Sequence, residues 1–408
     1  MQGVLRCGEL GAFATVAWLL VFACSFQCAA FGEDAGPFGD NVRLRGSLDN
    51  ARSTFERTGK GNVVFMGGSI TETNGFRLIV GESLKRRFPS TVFTFTNAGV
   101  SSTCSTTGAF RLESDVLAKG PVDLLFVEFA VNDDQDAHHT RAECIRGMEG
   151  IVRHAWQRNP NMDIVITYFV NPEMLKTLQS GQTPLPIEAH EAVADRCGVS
   201  TVNVAKEVAA EIGAGALTWE VYGGTHPSPA GHAFCARMID SLFDLAWRKP
   251  LAPDARPKAH RLPRAMLDPF SYVKGRFVDV STAHRKQGWT LGVPDWAHLP
   301  GDKRDRFTSA QMLSATETGS TVTLDFEGTS VGAYILAGPD AGIAEVSIDG
   351  GPFHDVELYH EFSGGLHYPR TVLLGSELRT GRHTLTMRIS PNTHSVGHSM
   401  RILHFAAN

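Results

Sequence analysis

The chain has 408 residues, of which 42% are hydrophobic and 20% charged, and its formal net charge is -5. These values are typical of globular domains and argue against a disordered chain or a bundle of membrane helices. The sequence pI is about 6.3, and charges of both signs are mixed along the chain. No basic field is therefore present to attract nucleic acid or an anionic membrane, and we expect no nucleic-acid partner. The length allows two or three domains.

The first thirty residues have the pattern of a secretory signal peptide. Arg6 precedes an uncharged stretch from Leu10 to Gly32, and small residues at positions 28–30 follow its apolar core. This order predicts cleavage near Ala30. The mature chain would then have no transmembrane segment and would be secreted, periplasmic or part of the cell envelope. A retained membrane anchor is the alternative, because the uncharged stretch is nearly long enough to span a bilayer.

Four cysteines remain after the predicted cleavage: Cys104, Cys144, Cys197 and Cys235. In an exported protein they permit two disulfides, with three possible connectivities between which the sequence does not decide. Free, buried thiols are the other interpretation. None of the four belongs to a CxxC pair, which argues against a zinc or redox motif.

Residues 62–247 alternate between strand-like and helix-like segments, after a lead-in segment over residues 31–61. Several strand-like runs are apolar on both faces, as parallel strands covered by helices must be. We therefore predict an α/β fold, a parallel sheet between two helix layers, with ligands bound beyond the carboxyl ends of the strands. The predicted strands are Asn62–Met66, Val92–Thr96, Asp123–Phe129, Asp163–Tyr168 and Val199–Val204.

The composition and the hydrophobic periodicity of the sequence change after residue 247. Residues 248–264 hold four prolines with several Lys and Arg and have neither helical nor strand periodicity, which predicts a linker. Residues 265–408 contain short alternating runs separated by turn signals, which predicts a β-sandwich of the jelly-roll kind. Its predicted strands include Thr321–Phe326, Ser330–Leu336, Ala344–Ile348, Arg370–Leu374 and His383–Ile389.

Four residues follow predicted strands or lie in a loop where they could take part in chemistry. Ser69 comes after two glycines that allow a sharp turn, although a serine there could simply cap a helix. Gly99 could direct its backbone N–H at an oxyanion, or it could be an ordinary turn residue. Asn132 could donate from its carboxamide or belong to a turn. His226 lies in a glycine- and proline-rich loop before a helix, where a neutral imidazole can accept a hydroxyl proton.

The order and placement of these residues resemble the four motif blocks of the SGNH (GDSL-like) hydrolase superfamily. The matching segments are Gly67–Thr71, Asn97–Gly99, Val131–Asp133 and Thr225–Pro227. The resemblance implies a three-layer α/β/α flavodoxin-like fold and an esterase that needs no cofactor. It implies that Ser69 is the nucleophile and His226 the general base. It also implies an oxyanion hole made by Ser69, Gly99 and Asn132.

Two positions depart from the family pattern. Gly68 stands where members usually have an aspartate before the nucleophile, a position without an obligatory chemical role. Gly223 stands three residues before His226, where the family has the aspartate that orients the imidazole. We therefore expect a Ser–His dyad, or an altered triad in which Glu220 supplies the carboxylate. Glu220 could equally be a surface residue on a short helical turn.

Charged residues near the motifs have both functional and structural interpretations. Arg111 and Glu128 could bind substrate, or they could form an ion pair with each other. A loop set of Asp and His residues could hold a metal, but a solvated loop is favoured because no helical i, i+4 pair is present. We therefore expect no metal. The loop set consists of Asp134, Asp136, His138 and His139.

The leading functional hypothesis is an exported serine esterase that removes O-acetyl groups from carbohydrates, with a small-molecule or polysaccharide ester as its substrate. The predicted sandwich would bind sugar or cover the active site, and five of its residues are candidates for this. The competing hypothesis is a carbohydrate-binding envelope protein whose hydrolase domain has weakened. The sequence leaves the oligomeric state open. The five candidates are Trp289, Trp296, Tyr359, His360 and His367.

Overall fold

A computed structural model describes residues 36–408 of the chain. The predicted signal peptide and its cleavage site lie outside the described residues. Within residues 36–408, no helix combines the length and the apolar character needed to cross a membrane.

The first half of the described chain is built on a six-stranded sheet with the order β1-β6-β5-β4-β2-β3. Strands β2 to β6 are parallel, and the two-residue strand β1 pairs antiparallel with β6 at one edge. β4 and β5 are buried along their whole length, as the apolar runs predicted. The strands are β1 Val42–Arg43, β2 Lys60–Gly67, β3 Val92–Gly99, β4 Leu124–Glu128, β5 Asp163–Tyr168 and β6 Ser200–Asn203.

Helices cover both faces of this sheet because the strand order reverses at β2. The chain moves one way from β2 to β3 and the other way from β3 through β4 to β6, and right-handed crossovers then place the connecting helices on opposite faces. This confirms the predicted α/β/α fold. The helices are α1 Asp49–Thr58, α2 Ser69–Glu72, α3 Phe76–Arg87, α4 Ser105–Asp115, α5 Ala130–Gln135, α6 Arg141–Arg158, α7 Pro172–Gln179, α8 Leu185–Cys197, α9 Val204–Gly213, α10 Trp219–Tyr222 and α11 Pro229–Ala246.

The lead-in segment before the first predicted strand is part of this fold. It contributes β1 to the sheet edge and α1 to one helix layer. Leu48, Ala51 and Phe55 are buried in the same apolar core as the central strands. The hydrophobic periodicity of α1 is weak in the sequence, because its mean composition is polar and only one narrow face is apolar.

The second half of the described chain is a sandwich of two antiparallel sheets. One sheet has the order β15-β12-β17-β10-β9, with β7 also paired to β17, and the other has the order β14-β13-β16-β11-β8. The predicted all-β region is therefore confirmed. The elements are β7 Arg276–Asp279, β8 His284–Gln287, β9 Thr290–Gly292, α12 Asp305–Thr308, β10 Met312–Ala315, β11 Thr321–Gly328, β12 Val331–Ala337, β13 Ile343–Ile348, β14 His354–Glu357, β15 Tyr368–Gly375, β16 Gly381–Ile389 and β17 Met400–Ala407.

The two halves share an apolar contact, and residues 36–408 form one compact unit. Successive side chains of a strand point to opposite faces. In β12, Ala333 and Ile335 enter the sandwich core, whereas Tyr334 and Leu336 join Val100 of the α/β half in a separate cluster. β12 is consequently buried on both faces, whereas antiparallel sheets commonly have one face packed on the core and the other in contact with solvent.

The segment predicted as a linker runs along the α/β half without forming a helix or strand. Asn50 Nδ2 donates to the carbonyl of Lys258 at 2.9 Å, and Asn50 Oδ1 accepts from the Lys258 N–H at 2.7 Å. His260 Nε2 lies 2.8 Å from Asp163 Oδ1. These bonds fix the segment to α1 and β5, so its proline content does not give a freely moving tether.

All four cysteines carry free, buried thiols in the structure. Burial raises the pKa of Cys144 to about 12 and that of Cys197 to about 11. Of the two interpretations of these cysteines, the structure has the one without disulfides.

Glu149 on α6 holds the chain that leads into the sandwich. The side chain is fully buried. It accepts hydrogen bonds from Arg153 Nε at 2.8 Å and from Ser271 Oγ at 2.7 Å. It also accepts from the backbone N–H groups of Leu267 and Asp268. One buried carboxylate therefore accepts from four donor groups, one on α6 and three on the chain that leads into the sandwich.

We predict that Glu149→Ala lowers the free energy of unfolding by about 3–5 kcal/mol, because it leaves the Arg153 charge buried without its partner. Urea unfolding gives the measurement. The matched control is Glu188→Ala, which removes an exposed ion pair with Arg141 and should cost less than about 1 kcal/mol. Equal effects of the two substitutions would contradict the anchoring role of Glu149.

Candidate active site

The carboxyl ends of β2, β3 and β4 meet at one edge of the sheet. In the register, Gly67 lies opposite Gly99 on one side and opposite Glu128 on the other. The strand order reverses at β2, and ligands of such sheets bind in the crevice that this reversal creates. The segments containing Ser69, Gly99 and Asn132 therefore start from the same place in the fold.

Ser69 and His226 are brought together by this arrangement. Ser69 Oγ lies 2.8 Å from His226 Nε2. Ser69 is half-buried and His226 is exposed, so an ester can approach both groups. Ser69 begins α2, and no hydrogen bond of the described residues uses its backbone N–H. The arrangement has the nucleophile–base contact that hydroxyl activation requires.

The loop of His226 is braced by the helix that follows it. Ser228 caps α11 by accepting from the Gly231 N–H at 3.2 Å, and its own hydroxyl donates to the carbonyl of Val221 at 2.7 Å. Pro229 occupies the first turn of α11, where proline fits because its missing N–H is not needed. These contacts hold the loop on either side of the imidazole.

Gly223 cannot be replaced by the family's aspartate in this backbone. It has φ +102°, a conformation that side chains rarely adopt, and a Cβ built there would lie 2.0 Å from the Ser228 nitrogen. Among residues 36–408, no ion pair or hydrogen bond joins Glu220 to His226, and Glu220 is exposed on α10. The role of Glu220 as the orienting carboxylate stays a prediction without a contact to support it.

Gly99 packs against α2 and uses its N–H locally. A Cβ at Gly99 would lie 2.4 Å from the Glu72 nitrogen, so only glycine allows the strand end to approach α2 this closely. The N–H of Gly99 donates to Asn97 Oδ1 at 3.0 Å, and it would have to leave this bond to serve an oxyanion. Ser102, three residues later, has φ +67°, and no hydrogen bond of the described residues uses its N–H.

Asn132 lies on α5 with its carboxamide against Gly68. A Cβ at Gly68 would lie 2.0 Å from Asn132 Oδ1, so the space that a family aspartate would need is filled by the asparagine. Asn132 Nδ2 donates to Asp136 Oδ2 at 2.6 Å. A carboxamide has two N–H bonds, and the second remains available to a ligand.

Glu128 is buried directly beneath the nucleophile turn. Its Oε2 accepts from Thr71 Oγ1 at 3.2 Å, while Oε1 has no partner among the described residues. Burial raises the pKa of Glu128 to about 7, against the opposing effect of hydrogen bonds from Thr71 and the Gly68 backbone. The side chain is 2% exposed, so it supports the turn from within the protein.

Arg111 is also enclosed, at 1% exposure, and does not pair with Glu128. It donates to the carbonyls of Ala98 and Gly67 at 2.7 and 3.0 Å and to Asp115 at 3.1 Å. Burial lowers the pKa of Arg111 from its ordinary value. The guanidinium thereby fastens the ends of β3 and β2, which carry the candidate site.

Three residues of the sandwich contact the segments of the candidate site, and no sequence motif indicates them. Arg304 donates to the carbonyl of Ser101 at 2.8 Å, and Arg306 donates to Glu72 at 2.5 Å and to the carbonyl of Gly99 at 3.2 Å. Tyr368 donates to Asp136 Oδ1 at 2.8 Å. These residues are more than 160 positions away in sequence from the groups they contact, so no local pattern reveals them.

A cleft of about 400 Å³ opens beside His226. Exposed apolar side chains of α3 form one wall, and Leu78 and Ile79 are 49% and 37% exposed. Polar groups of the preceding turn contribute to the same cleft. Its lining residues are Thr73, Asn74, Gly75, Leu78, Ile79, His226, Pro227, Pro229 and His232.

The sandwich residues considered for sugar binding do not form an exposed aromatic surface. Trp289, His360 and His367 are buried. Trp296 Nε1 donates to the carbonyl of Thr308, and His367 Nε2 donates to the carbonyl of Pro300. Trp289, His360 and His367 therefore lie in the interior, whereas Trp296 and Tyr359 are half-buried.

Two groups of side chains have the donor types of a metal site. Cys104, Asp133 and His139 place ligand atoms within 4.8 Å of one another, as do Asp133, Cys144 and His190. The carboxylate of Asp133 already accepts from the Ser105 N–H and hydroxyl, both at 2.7 Å, and from His190 at 2.9 Å. These hydrogen bonds explain why the carboxylate of Asp133, a residue of α5, lies at the first turn of α4.

Residues 65–234 match the model of the GDSL-like Lipase/Acylhydrolase family. The match covers the segment that carries Ser69, Asn132 and His226. It confirms the resemblance expected from the motifs and indicates a hydrolase of ester bonds. No match was found among curated proteins.

The chain is similar over most of its length to a two-domain esterase active on acetylated mannans. The crystal structure of that esterase with mannopentaose covers 91% of this chain and 98% of its own, with a TM-score of 0.72 and 21% sequence identity. A second crystal structure described in the same terms, without the oligosaccharide, gives a TM-score of 0.70 and 22% identity with the same coverage. At this identity, the likeness shows a shared two-domain fold.

We predict that Glu128→Gln removes a pH dependence of stability. The pKa of Glu128 is raised from 4.5 to about 7, so the folded protein holds this proton more tightly than the unfolded chain does. The stability that protonated Glu128 contributes to the folded protein is fully present below pH 4.5 and is lost as the pH rises through about 7. Relative to the native protein, the free energy of unfolding of Glu128→Gln should therefore rise by at most about 3 kcal/mol between pH 4.5 and 8.

Urea unfolding at several pH values measures this difference. The control is Glu173→Gln on the exposed end of α7, whose stability difference from the native protein should stay within about 0.5 kcal/mol over the same range. A constant difference for Glu128→Gln would contradict the prediction.

We predict that Gly223→Asp does not restore a triad. The new side chain would clash with the Ser228 nitrogen and open the His226 loop, so both the melting temperature and the rate of p-nitrophenyl acetate hydrolysis should fall. Gly224→Asp is the matched control, because Gly224 also has positive φ (+86°) but only Trp219 Nε1, at 4.0 Å, near its Cβ position. The control should cost about 1–2 kcal/mol. A faster Gly223→Asp enzyme would overturn this interpretation of the loop.

Proposed function

We propose that this protein is a serine esterase that hydrolyses O-acetyl esters of polysaccharides by a Ser–His mechanism. The observation that carries the proposal is the 2.8 Å contact between Ser69 Oγ and His226 Nε2 at the strand reversal of a GDSL-like domain. The similarity in fold to an esterase active on acetylated mannans supports the choice of substrate class.

The proposed reaction begins with attack of Ser69 Oγ on the acyl carbon, while His226 Nε2 accepts the hydroxyl proton. The tetrahedral intermediate then collapses as the bond from the acyl carbon to the sugar oxygen breaks, and His226 gives the proton to that oxygen, which leaves as a hydroxyl group. Water, deprotonated by the same imidazole, attacks the acetyl-enzyme and releases acetate. One group thus acts first as base and then as acid in each half of the reaction.

Backbone and side-chain donors would stabilise the oxyanion during both steps. Ser69 offers its free N–H at the start of α2, and Asn132 offers the N–H that Asp136 does not use. The third donor would be the N–H of Gly99, once it leaves its bond to Asn97, or the free N–H of Ser102 in the loop that follows β3. Losing one such donor raises the barrier by about 2.7–4 kcal/mol in a well-studied serine protease.

The proposed enzyme works as a dyad. Contacts of Ser228 and Pro229 hold the loop of His226, but the imidazole has no carboxylate partner among the described residues. The imidazolium is therefore stabilised less than in a triad. Misorientation of the imidazole can cost about four orders of magnitude in rate. The Ser228 and Pro229 contacts of the loop would supply part of that orientation by limiting the motion of the backbone around His226.

The open cleft beside His226 favours a small acyl group on a large alcohol. The apolar side chains of Leu78 and Ile79 offer a surface for the C–H face of a sugar ring, and the open lining gives no deep tunnel for a long acyl chain. We further propose an exported protein in which the hydrolase domain extends from the lead-in segment, with its β1 and α1, to residue 247, and the sandwich spans residues 265–408.

We predict that Ser69→Ala and His226→Ala each lower the rate of p-nitrophenyl acetate hydrolysis at least about 10³-fold, because each removes half of the dyad. Ser180→Ala, which alters an exposed hydroxyl on the α7–α8 connection, is the control and should keep the native rate. Acetate release from acetylated mannan, measured with the same proteins, should follow the same order.

Equal rates for Ser69→Ala and the native protein would refute the esterase. Binding of acetylated mannan without any acetate release would favour the competing carbohydrate-binding function. Isothermal titration with the same polysaccharide separates these outcomes.

A further inference from the structure

We infer that Tyr368 of the sandwich is a positioning residue for the oxyanion hole, acting through Asp136 on the carboxamide of Asn132. The inference rests on the proposed esterase function. It assigns the second half of the chain a part in the chemical step, beyond covering the site or binding sugar.

A continuous chain of hydrogen bonds connects the two halves of the protein. The Tyr368 hydroxyl donates to Asp136 Oδ1 at 2.8 Å, and Asp136 Oδ2 accepts from Asn132 Nδ2 at 2.6 Å. All three side chains are buried, with exposures of 2%, 8% and 3%. Each carboxylate oxygen therefore has a fixed donor, and rotation of either partner breaks a bond that water cannot easily replace.

The position of Asp136 is fixed from the sandwich by a second contact. His360 Nε2 donates to the backbone carbonyl of Asp136 at 2.6 Å. The rings of His360 and Tyr368 are stacked, with centroids 4.3 Å apart and an interplanar angle of 5°. The sandwich thus holds both the backbone and the carboxylate of Asp136, the residue one helical turn after Asn132.

The same region of the sandwich holds the other side of the proposed oxyanion hole. Arg304 donates to the carbonyl of Ser101 at 2.8 Å and to Ser102 Oγ at 2.7 Å. Tyr368 also lies 3.3 Å from the carbonyl of Ser102. One surface of the sandwich therefore contacts the loop after β3 and, through Asp136, orients the carboxamide of Asn132.

A carboxamide with two N–H bonds can rotate between several partners, and its direction must be fixed if it is to stabilise charge at one point. Asp136 takes one N–H and orients the other. Burial raises the pKa of Asp136 from its ordinary value, whereas the bonds from Tyr368 and Asn132 lower it. Removing the tyrosine donor weakens the ionised form that holds Asn132.

The test is a double-mutant cycle with Tyr368→Phe and Asn132→Ala. Phenylalanine keeps the stacked ring and removes only the hydroxyl. In the native background, Tyr368→Phe should lower kcat for p-nitrophenyl acetate about 5- to 30-fold and change KM less than about 2-fold, a smaller loss than deleting a direct donor. In the Asn132→Ala background it should change kcat less than about 2-fold, since the group it positions is gone.

The matched control is Tyr272→Phe, which removes a buried hydroxyl without a hydrogen-bond partner among residues 36–408 and should change neither constant. Equal kcat losses from Tyr368→Phe in both backgrounds, or no loss in the native background, would overturn the inference.

A readout independent of activity separates this inference from the proposed function. If native protein and Ser69→Ala hydrolyse the ester equally fast, the esterase proposal fails, and hydrogen exchange of the Asn132 side-chain amide, observed by NMR, decides the positioning role. Exchange should be faster in Tyr368→Phe than in Tyr272→Phe. Unchanged exchange would refute the role of Tyr368.

Discussion

The parallel register of β2 between β3 and β4 is the constraint on which the candidate site depends. It places Gly67 opposite both Gly99 and Glu128, so three segments leave the sheet within a few ångströms of one another. Parallel strands need crossovers that carry helices, and reversal of the strand order at β2 separates the helices that follow β2 and β4. The crevice between them contains Ser69 and Asn132 because no helix can cover that point.

The second requirement at this edge of the sheet is that backbone segments approach one another closely. This requirement, and not a need for flexibility, explains why glycines occur there. Gly68 leaves room for the carboxamide of Asn132, and Gly99 lets β3 touch α2. At Gly223, positive φ and contact with Ser228 show that the His226 loop follows a path that excludes an aspartate. The departures from the family motif are therefore changes of local backbone and packing, accommodated by neighbouring residues.

The sequence was sufficient for the five parallel strands β2 to β6 and for the proximity of Ser69 to His226, because periodicity and motif order are local signals. It was insufficient for contacts that depend on tertiary packing. The N–H of Gly99 is taken by Asn97, and Arg111 binds strand-end carbonyls instead of Glu128. Asp136, considered as a loop residue, is buried because a tyrosine 232 positions later donates to it.

Burial of Asp136 gives the sandwich a role that a separate binding module would not have. A carboxylate is costly to bury unless its oxygens are paired, and here one oxygen is paired within the α/β half and the other from the sandwich. Separating the halves would expose the apolar contact at Val100 and leave Asn132 bonded to a solvated carboxylate. The proposed dyad lacks an orienting aspartate on the histidine side, so its rate would depend all the more on a well-fixed oxyanion hole. A firm contact between the two halves is the structural means of fixing it.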